Sequence, residues 1–328
     1  MNKDLIKQYG QEAFLTGQHL IDNPRKVISI SPKIDMILGG GIPGGSIITV
    51  AGPEKLGKTL LSLWIASKCQ LAGRKIYYLN IEGRIKTRDL TGIQGLNVPE
   101  VSIIGSYRGK ILCAEDYLQI AERLIKEVPG CVIILDSVSQ LCAEKESTCD
   151  MGEQQRAPGP VLLSQFCKKV ANAVPVNDNI VIMIQHMIAN TSGYGAKLLP
   201  SGGRKIAYAA DIGLIGKSSK FIRPGNKEDD ENLPPIGQEV VWQTTSTAFI
   251  APGQKTTSII RYGVGIDECA EYISLGIDFG IIVQSASWLE LNGRKIQGKE
   301  KLYQFLQSEE GKEEYLLLQQ NIKGIING

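Results

Sequence analysis

The chain has 328 residues, 43% hydrophobic and 21% charged, with 36 Lys and Arg against 34 Asp and Glu for a net charge of +2. That length carries one full-sized core plus a smaller appendage, and that composition excludes a wholly disordered or fibrous chain. A charge so close to balance excludes bulk attraction to polyanions, so a nucleic-acid partner requires a local basic surface.

In chain order, residues 1–26 read as a polar, partly amphipathic lead segment ending at Asn23-Pro24-Arg25-Lys26. Met1-Asn2-Lys3-Asp4 has no apolar stretch behind a basic head, so no signal peptide is expected. From Ser46 the pattern changes. Residues 47–51 form an apolar run suited to a buried strand, and residues 58–69 carry helical spacing through Leu60, Leu61, Leu63, Trp64 and Ile65. Further strands are expected at 76–81, 131–135, 180–184 and 212–215, with helices near 114–126 and 161–174 between them. Alternation of buried strands with helices predicts an α/β fold with a mostly parallel sheet covered on both faces. Residues 217–238, rich in charge, Pro and Gly, read as an exposed loop, followed by strands at 240–243 and 257–262. From Ile266 a small α/β unit is expected, ending in a helical stretch over 299–321.

The seven cysteines, Cys69, Cys113, Cys131, Cys142, Cys149, Cys167 and Cys269, are odd in number and include no C-x-x-C pair. Thiols in apolar runs such as Cys131-Val132-Ile133-Ile134 behave as small hydrophobes, and the usage fits a reducing, cytoplasmic compartment. No apolar run approaches the roughly 20 residues that span a bilayer, so no membrane partner is expected. His19 and His186 are the only histidines, which leaves a histidine-rich zinc site without ligands.

Gly52-Pro53-Glu54-Lys55-Leu56-Gly57-Lys58-Thr59 matches G-x-x-x-x-G-K-[ST] in full. Glycines let backbone N–H groups wrap phosphates, and the following helix presents its N-terminus to negative charge. Lys58 then reaches the β- and γ-phosphates and the Thr59 hydroxyl ligates Mg2+, so ATP and Mg2+ are the expected cofactors. Val132-Ile133-Ile134-Leu135-Asp136 has the form of a second phosphate-site strand, whose terminal carboxylate, Asp136, holds the Mg2+ shell. Glu82 follows the strand run Tyr77-Tyr78-Leu79-Asn80-Ile81. At that edge a carboxylate orients and deprotonates an attacking water; a solvated loop glutamate is the alternative.

In order along the chain stand Leu38-Gly39-Gly40-Gly41-Ile42, the P-loop, Asn80-Ile81-Glu82-Gly83, Leu135-Asp136-Ser137, Ile184-Gln185-His186, Ser201-Gly202-Gly203 and Arg261-Tyr262-Gly263-Val264-Gly265-Ile266-Asp267. This ordered set, over about residues 14–290, resembles the RecA/RadA strand-exchange recombinases, and more closely the phage recombinases of the UvsX type. The resemblance implies a RecA-like P-loop ATPase core over 31–265, a short N-terminal polymerisation segment over 1–30 and a small C-terminal α/β subdomain over 266–328. It implies catalytic roles for Glu82, Lys58 and Gln185, the last as a polar sensor of the γ-phosphate. His186 stands beside it as in the UvsX-type pattern, with an interior histidine satisfying a backbone group as the other reading.

The same resemblance turns two segments, about 144–160 and 189–206, into candidate DNA-binding loops. Arg156 and Lys168 belong to or follow the first, which Glu144, Glu146, Asp150 and Glu153 make locally acidic. The second offers Tyr194, Lys197, Gly202, Gly203, Arg204 and Lys205, suited to phosphate contact and base stacking; a surface loop with incidental charge is the alternative. Ala13-Phe14-Leu15-Thr16-Gly17 resembles a polymerisation motif in which Phe14 plugs into the neighbouring subunit, although Gly17 stands where Ala is usual and Phe14 also suits its own domain. Ser246 and Ala248 stand where bacterial RecA has two cations that cap ATP from a neighbour, with Lys255 and Arg261 as substitutes to consider. Arg88 and Asp89 occupy the neighbourhood of the aromatic residue that stacks adenine. The resemblance implies a DNA-dependent ATPase that coats single-stranded DNA as a helical homopolymer and exchanges strands with homologous duplex DNA, in a bacterial or phage-infected cytoplasm. An ATP-gated coating or mediator protein with little turnover, and a ring-forming motor, are the competing functions.

Overall fold

The computed structural model describes residues 3–150, 159–190, 197–224 and 233–327. The lead segment forms α1 (Lys3–Tyr9) and α2 (Gly17–Asp22); Thr16 caps α2 by accepting from the His19 N–H at 3.1 Å. No residue of either helix is buried, and Leu5, Tyr9, Leu15, Leu20 and Ile21 are exposed. The chain then forms β1 (Val27–Ile28), α3 (Pro32–Leu38) and β2 (Ile42–Pro43), with β1 antiparallel to β2. Ser31 caps α3 and Pro32 occupies its first turn, where a missing N–H costs nothing. Gly39 ends it at φ 78, in the left-handed region.

The core alternates strands and helices: β3 (Ser46–Ala51), α4 (Lys58–Leu71), β4 (Ile76–Asn80), α5 (Thr87–Thr91), β5 (Val101–Ile104), α6 (Ala114–Glu127), β6 (Val132–Asp136), α7 (Glu144–Thr148), α8 (Gly159–Val170), α9 (Ala173–Val176) and β7 (Ile180–Gln185). There follow β8 (Met187–Ala189), β9 (Leu198–Pro200), α10 (Arg204–Ala209), β10 (Ile212–Ile222), β11 (Gly237–Ser246), β12 (Lys255–Arg261) and β13 (Gly265–Ile266). Nine strands make one sheet in the order β13-β12-β11-β10-β3-β7-β6-β4-β5. The pairs from β10 to β5 are parallel, and those among β10, β11, β12 and β13 are antiparallel. Every residue of β3, β6 and β7 is buried, as strands covered on both faces require. Period-two alternation divides them between two apolar layers. Ile48, Ile134 and Ile182 pack with Leu61 and Trp64 of α4, whereas Ile47, Ile133 and Val181 pack with Leu118 of α6 and Phe166 of α8.

The remaining chain forms α11 (Glu268–Asp278), β14 (Val283–Ser285), β15 (Trp288–Leu291), β16 (Arg294–Gln297), α12 (Lys299–Gln307) and α13 (Lys312–Asn327) around an apolar cluster of its own, centred on Leu275, Leu302 and Ile322. Three expected elements differ. The two ends of the expected loop over 217–238 are strand, because β10 continues to Ile222 and pairs with β11 from Gly237 onward. An antiparallel arm held by backbone hydrogen bonds does not need the apolar alternation that marks a buried strand. The expected helix over 161–174 divides into α8 and α9, and that over 299–321 into α12 and α13, where Ser308 accepts from the Gly311 N–H at 3.3 Å and Gly311 N-terminally opens the second helix. Among the described residues no helix is long and apolar enough to cross a membrane.

Candidate nucleotide site and its coupled loop

Parallel pairing puts the carboxyl ends of β3, β7, β6 and β4 side by side, with Ala51 opposite Gln185 and Asn80 opposite Asp136. The P-loop leaves β3, and Gly57 at φ 78 caps α4. At that φ any other residue is strained, and a Cβ on Gly57 would also press on Ile260 Cδ1 at 2.9 Å and Gln238 Nε2 at 3.0 Å. Lys58 is 7% exposed, and its ammonium donates to the Pro53 carbonyl at 2.7 Å. Burial lowers its pKa, against the pull of Asp136, Glu82 and Glu54. Added phosphate charge reverses that desolvation penalty, so the buried ammonium fits an anionic ligand.

Asp136 ends β6 and is joined to Ser137 by a cis peptide bond. Its Oδ2 accepts from the Thr59 hydroxyl at 2.7 Å and the Tyr78 hydroxyl at 2.5 Å. Burial raises the Asp136 pKa despite those two donors. One carboxylate and one hydroxyl in contact are hard oxygen donors, the kind Mg2+ takes when phosphates and waters complete its shell. No group of three or more His, Cys, Asp or Glu able to hold a metal occurs among the described residues. Lys58, Thr59 and Asp136, with Glu82 and His186, line a cavity of about 400 Å3.

Glu82 lies just beyond β4. Its Oε1 accepts from the Ser137 hydroxyl at 2.7 Å and contacts His186 Nε2 at 2.5 Å, and Arg84 stands 3.9 Å from Oε2. Burial alone would raise this carboxyl; the Ser137 and His186 hydrogen bonds, with the charges of His186 and Arg84, outweigh it and hold the pKa below the usual carboxylate value. An ionised carboxylate in a phosphate-sized cavity suits a base that orients water.

The structure places the side chains of Gln185 and His186 in different surroundings. Gln185 is 4% exposed, and its amide donates to the Ser201 carbonyl at the base of the following loop. His186 lines the cavity instead. Its own N–H donates to Ser139 Oγ at 2.8 Å, Ser139 contacts the Ser201 hydroxyl, and the Ser201 N–H donates to the His186 carbonyl at 2.9 Å. Ile184 and His186, two residues apart, both line the cavity, and Gln185 between them, the last residue of β7, does not. The sequence assigned no individual role to Tyr78, Ser137, Ser139 or Ser201, although Ser137 and Ser201 fall within quoted motifs; Tyr78 has a further signal, an alternating position on the strand leading to Glu82.

Of the residues expected to touch DNA, Arg156 and Tyr194 lie outside the described residues. Lys197, just before β9, and Lys205, in the first turn of α10, are exposed on either side of Gly202 and Gly203. β8 pairs with β9, so the loop over 189–206 rises from a two-stranded base, and Gly202 and Gly203 turn it at φ 92 and 83 into the helix that starts at Arg204. Lys168 sits toward the far end of α8, about 13 Å of helix rise from the first residue, beside Lys169, which pairs with Glu122 at 3.1 Å. Phe14 is half-buried on the lead segment. Arg261 is tied to Asp267 within its own chain, and its guanidinium lies 5.1 Å from the Tyr303 ring centroid. Tyr262, 45% exposed, supplies an aromatic ring on the cavity wall that the sequence reading did not assign.

Residues 2–267 match the family described as RecA N-terminal domain. The chain is 28% identical over 329 residues to Protein RecA of Wolinella succinogenes, covering 99% of this chain and 90% of that one. It is 27% identical over 335 residues to Protein RecA of Campylobacter jejuni, covering 99% and 94% of the two chains. To Protein RecA of Rickettsia bellii it is 29% identical over 304 residues, covering 92% and 85%.

Proposed function

This chain belongs to the RecA family, and from that premise we propose an ATP-dependent homologous recombinase that forms filaments on single-stranded DNA and exchanges strands with homologous duplex. One observation carries the reading: Glu82 in the phosphate-sized cavity is bonded to His186, whose chain neighbour Gln185 holds the base of the loop over 189–206. That loop follows β7 on the same sheet edge as the P-loop, so one group of side chains joins a hydrolytic site to a nucleic-acid surface.

The P-loop residues Gly52, Pro53, Glu54, Lys55, Leu56, Gly57, Lys58 and Thr59 bind the triphosphate, Lys58 countering the β- and γ-phosphate charge. Thr59 and Asp136 would hold Mg2+, which neutralises charge on the phosphates when bound. Glu82 accepts a proton from water as its oxygen attacks the γ-phosphorus; the bond to the bridging oxygen breaks, leaving ADP and phosphate. Lys197, Gly202, Gly203, Arg204 and Lys205 meet the DNA backbone, and base pairing supplies specificity. Residues 1–30, which bury nothing on their own helices, serve polymerisation through Phe14; 31–265 carry ATP and DNA, and 266–328 form the accessory unit with its own apolar cluster. His186 beside Gln185 supports the likeness to UvsX-type phage recombinases. All seven cysteines are free, which agrees with the proposed cytoplasmic setting.

ATP hydrolysis measured with and without single-stranded DNA, alongside a joint-molecule assay with homologous duplex, tests the proposal. Stimulated hydrolysis and joint molecules are the expected result. Tight ATP-dependent DNA binding without turnover would favour the coating or mediator reading, which the absence of a cation at Ser246 and Ala248 and the internal pairing of Arg261 support.

A further inference from the structure

Beside the cavity that holds Lys58 and Glu82 lies a second of about 650 Å3. The two share Lys55, Thr59, Leu60, Asp89 and Tyr262, so they are inner and outer compartments of one cleft. The inner one carries the buried ammonium and the carboxylates. The outer one adds Arg88, Gly263 and, from a distant part of the sheet, Phe221. We propose that Phe221 is the ring on which the nucleotide base stacks, and that it sets affinity for the base as opposed to the phosphates. This rests on the reading of the inner compartment as a triphosphate site.

Phe221 stands on the part of β10 that projects past the parallel sheet. Pairing with β3 ends at Ile215 opposite Ala51, and beyond it only β11 supports the strand. Phe221 lies opposite Gln238, a residue of the inner compartment, and the Ile236 carbonyl accepts from the Tyr262 N–H at 3.0 Å. Three antiparallel strands thus hold Phe221, Gln238 and Tyr262 in fixed relation along one side of the cleft. Ser218, Ser219 and Lys220 precede Phe221 on an arm that is exposed from Lys217 to Phe221. There the ring has no core to fill. It remains 45% exposed, with the Arg223 guanidinium 5.8 Å from its centroid. A half-exposed phenyl beside a leucine and a second aromatic ring offers a flat apolar face to a purine, and base–aromatic stacking needs no hydrogen-bond match. Phosphate groups gain nothing from such a surface, so base and phosphate affinities separate at this residue.

Calorimetric titration of the DNA-free chain with ATP and with inorganic tripolyphosphate, both with Mg2+, tests this separation. Phe221→Ala should weaken ATP by about 5- to 20-fold while tripolyphosphate stays within about twofold, and Phe221→Trp should restore ATP. Unchanged ATP affinity, or equal weakening of both ligands, overturns the assignment and is what a subunit-contact role for Phe221 predicts. Lys58→Ala should lose both ligands; retention of both overturns the triphosphate reading itself. Photolabelling of the unsubstituted chain with 8-azido-ATP provides a measurement independent of any variant's folding. Label on residues 218–224 or Tyr262 is expected, and label confined to other segments overturns the proposal.

Discussion

Glu271 gives a prediction whose size follows from the structure. It lies on α11 with 0% exposure, where that helix packs against α3 and β12. Its Oε2 accepts from the Lys33 N–H at 3.2 Å, but Oε1 has no hydrogen-bond partner among the described residues. Burial pushes the carboxyl up from 4.5 to about 7, against the opposing pull of Ser31, Ser258 and Lys33. The folded chain therefore holds this proton more tightly than the unfolded chain does. Below the unfolded pKa both states are protonated and the burial carries no ionisation cost. As pH rises from there to about 7 the unfolded state ionises first and stability falls; above that the loss is complete. A rise of this size corresponds to about 3 kcal/mol. Glu271→Gln keeps the shape and removes the titration. Urea unfolding of both proteins, dilute and DNA-free so that filament contacts do not enter, should give curves differing by a constant below pH 4.5. Between there and pH 8 the variant should gain up to about 3 kcal/mol on the parent. Asp35, which burial also raises to about 7, titrates in both proteins and cancels from the difference. A flat difference across that range, or a variant that loses ground as pH rises, refutes the reasoning.

Two further predictions concern the site and the lead segment. Glu82→Gln should lower the hydrolysis rate by about 10²- to 10⁴-fold while ATP-dependent DNA binding persists, and unchanged turnover would remove Glu82 from the mechanism. Because Ser137 and His186 hold the Glu82 pKa below its ordinary value, the acid limb of the rate profile should fall below the usual carboxylate range. His186→Ala should move that limb upward in pH. Phe14→Ala should shorten or abolish filaments in electron micrographs without lowering the unfolding midpoint of the core, since the adjoining helices bury nothing; normal filaments would assign Phe14 to its own domain.

The parts of the site legible in the sequence are those whose physics is local. The P-loop glycines are demanded by left-handed turns and close backbone approach, and the strand ending at Asp136 announces itself by an unbroken apolar run. The arm carrying Phe221 was hidden for the opposite reason. An exposed antiparallel ribbon is held by backbone bonds that any sequence makes, so Lys217, Ser218 and Pro224 read as a loop although most of them belong to strand or its edge. Tyr262 joins Thr59 only because the sheet order β3-β10-β11-β12 folds residues some 200 positions apart onto one cleft, and nothing near either residue in sequence signals the meeting. The placement of Gln185 and His186 is a subtler case. Period two dictates that one faces the cavity and the other the loop, but which one depends on how the chain leaves β7 at Gln185.

That placement has a measurable consequence. Glu82 and His186 line the cavity, and Gln185 is fastened to Ser201 at the base of the loop; Ser139 contacts both His186 and Ser201. Five contacts among buried or half-buried groups connect the two surfaces. A charge that reorients Glu82 must either break the 2.5 Å contact with His186 or carry His186 with it, and with His186 goes the backbone that Ser201 is bonded to. Gln185→Ala removes the one side chain that fastens Ser201 to β7 without touching the phosphate cavity. ATP should then bind with little change, whereas the gain in DNA affinity that ATP confers should fall toward one. Thermodynamic reciprocity requires the gain in ATP affinity conferred by DNA to fall by the same factor, and coupling of this kind is typically worth about 5- to 150-fold. Both ratios are measurable by titrating labelled single-stranded DNA with and without ATP, and labelled ATP with and without DNA. Retention of both ratios in Gln185→Ala would show that the coupling runs outside this ring of side chains.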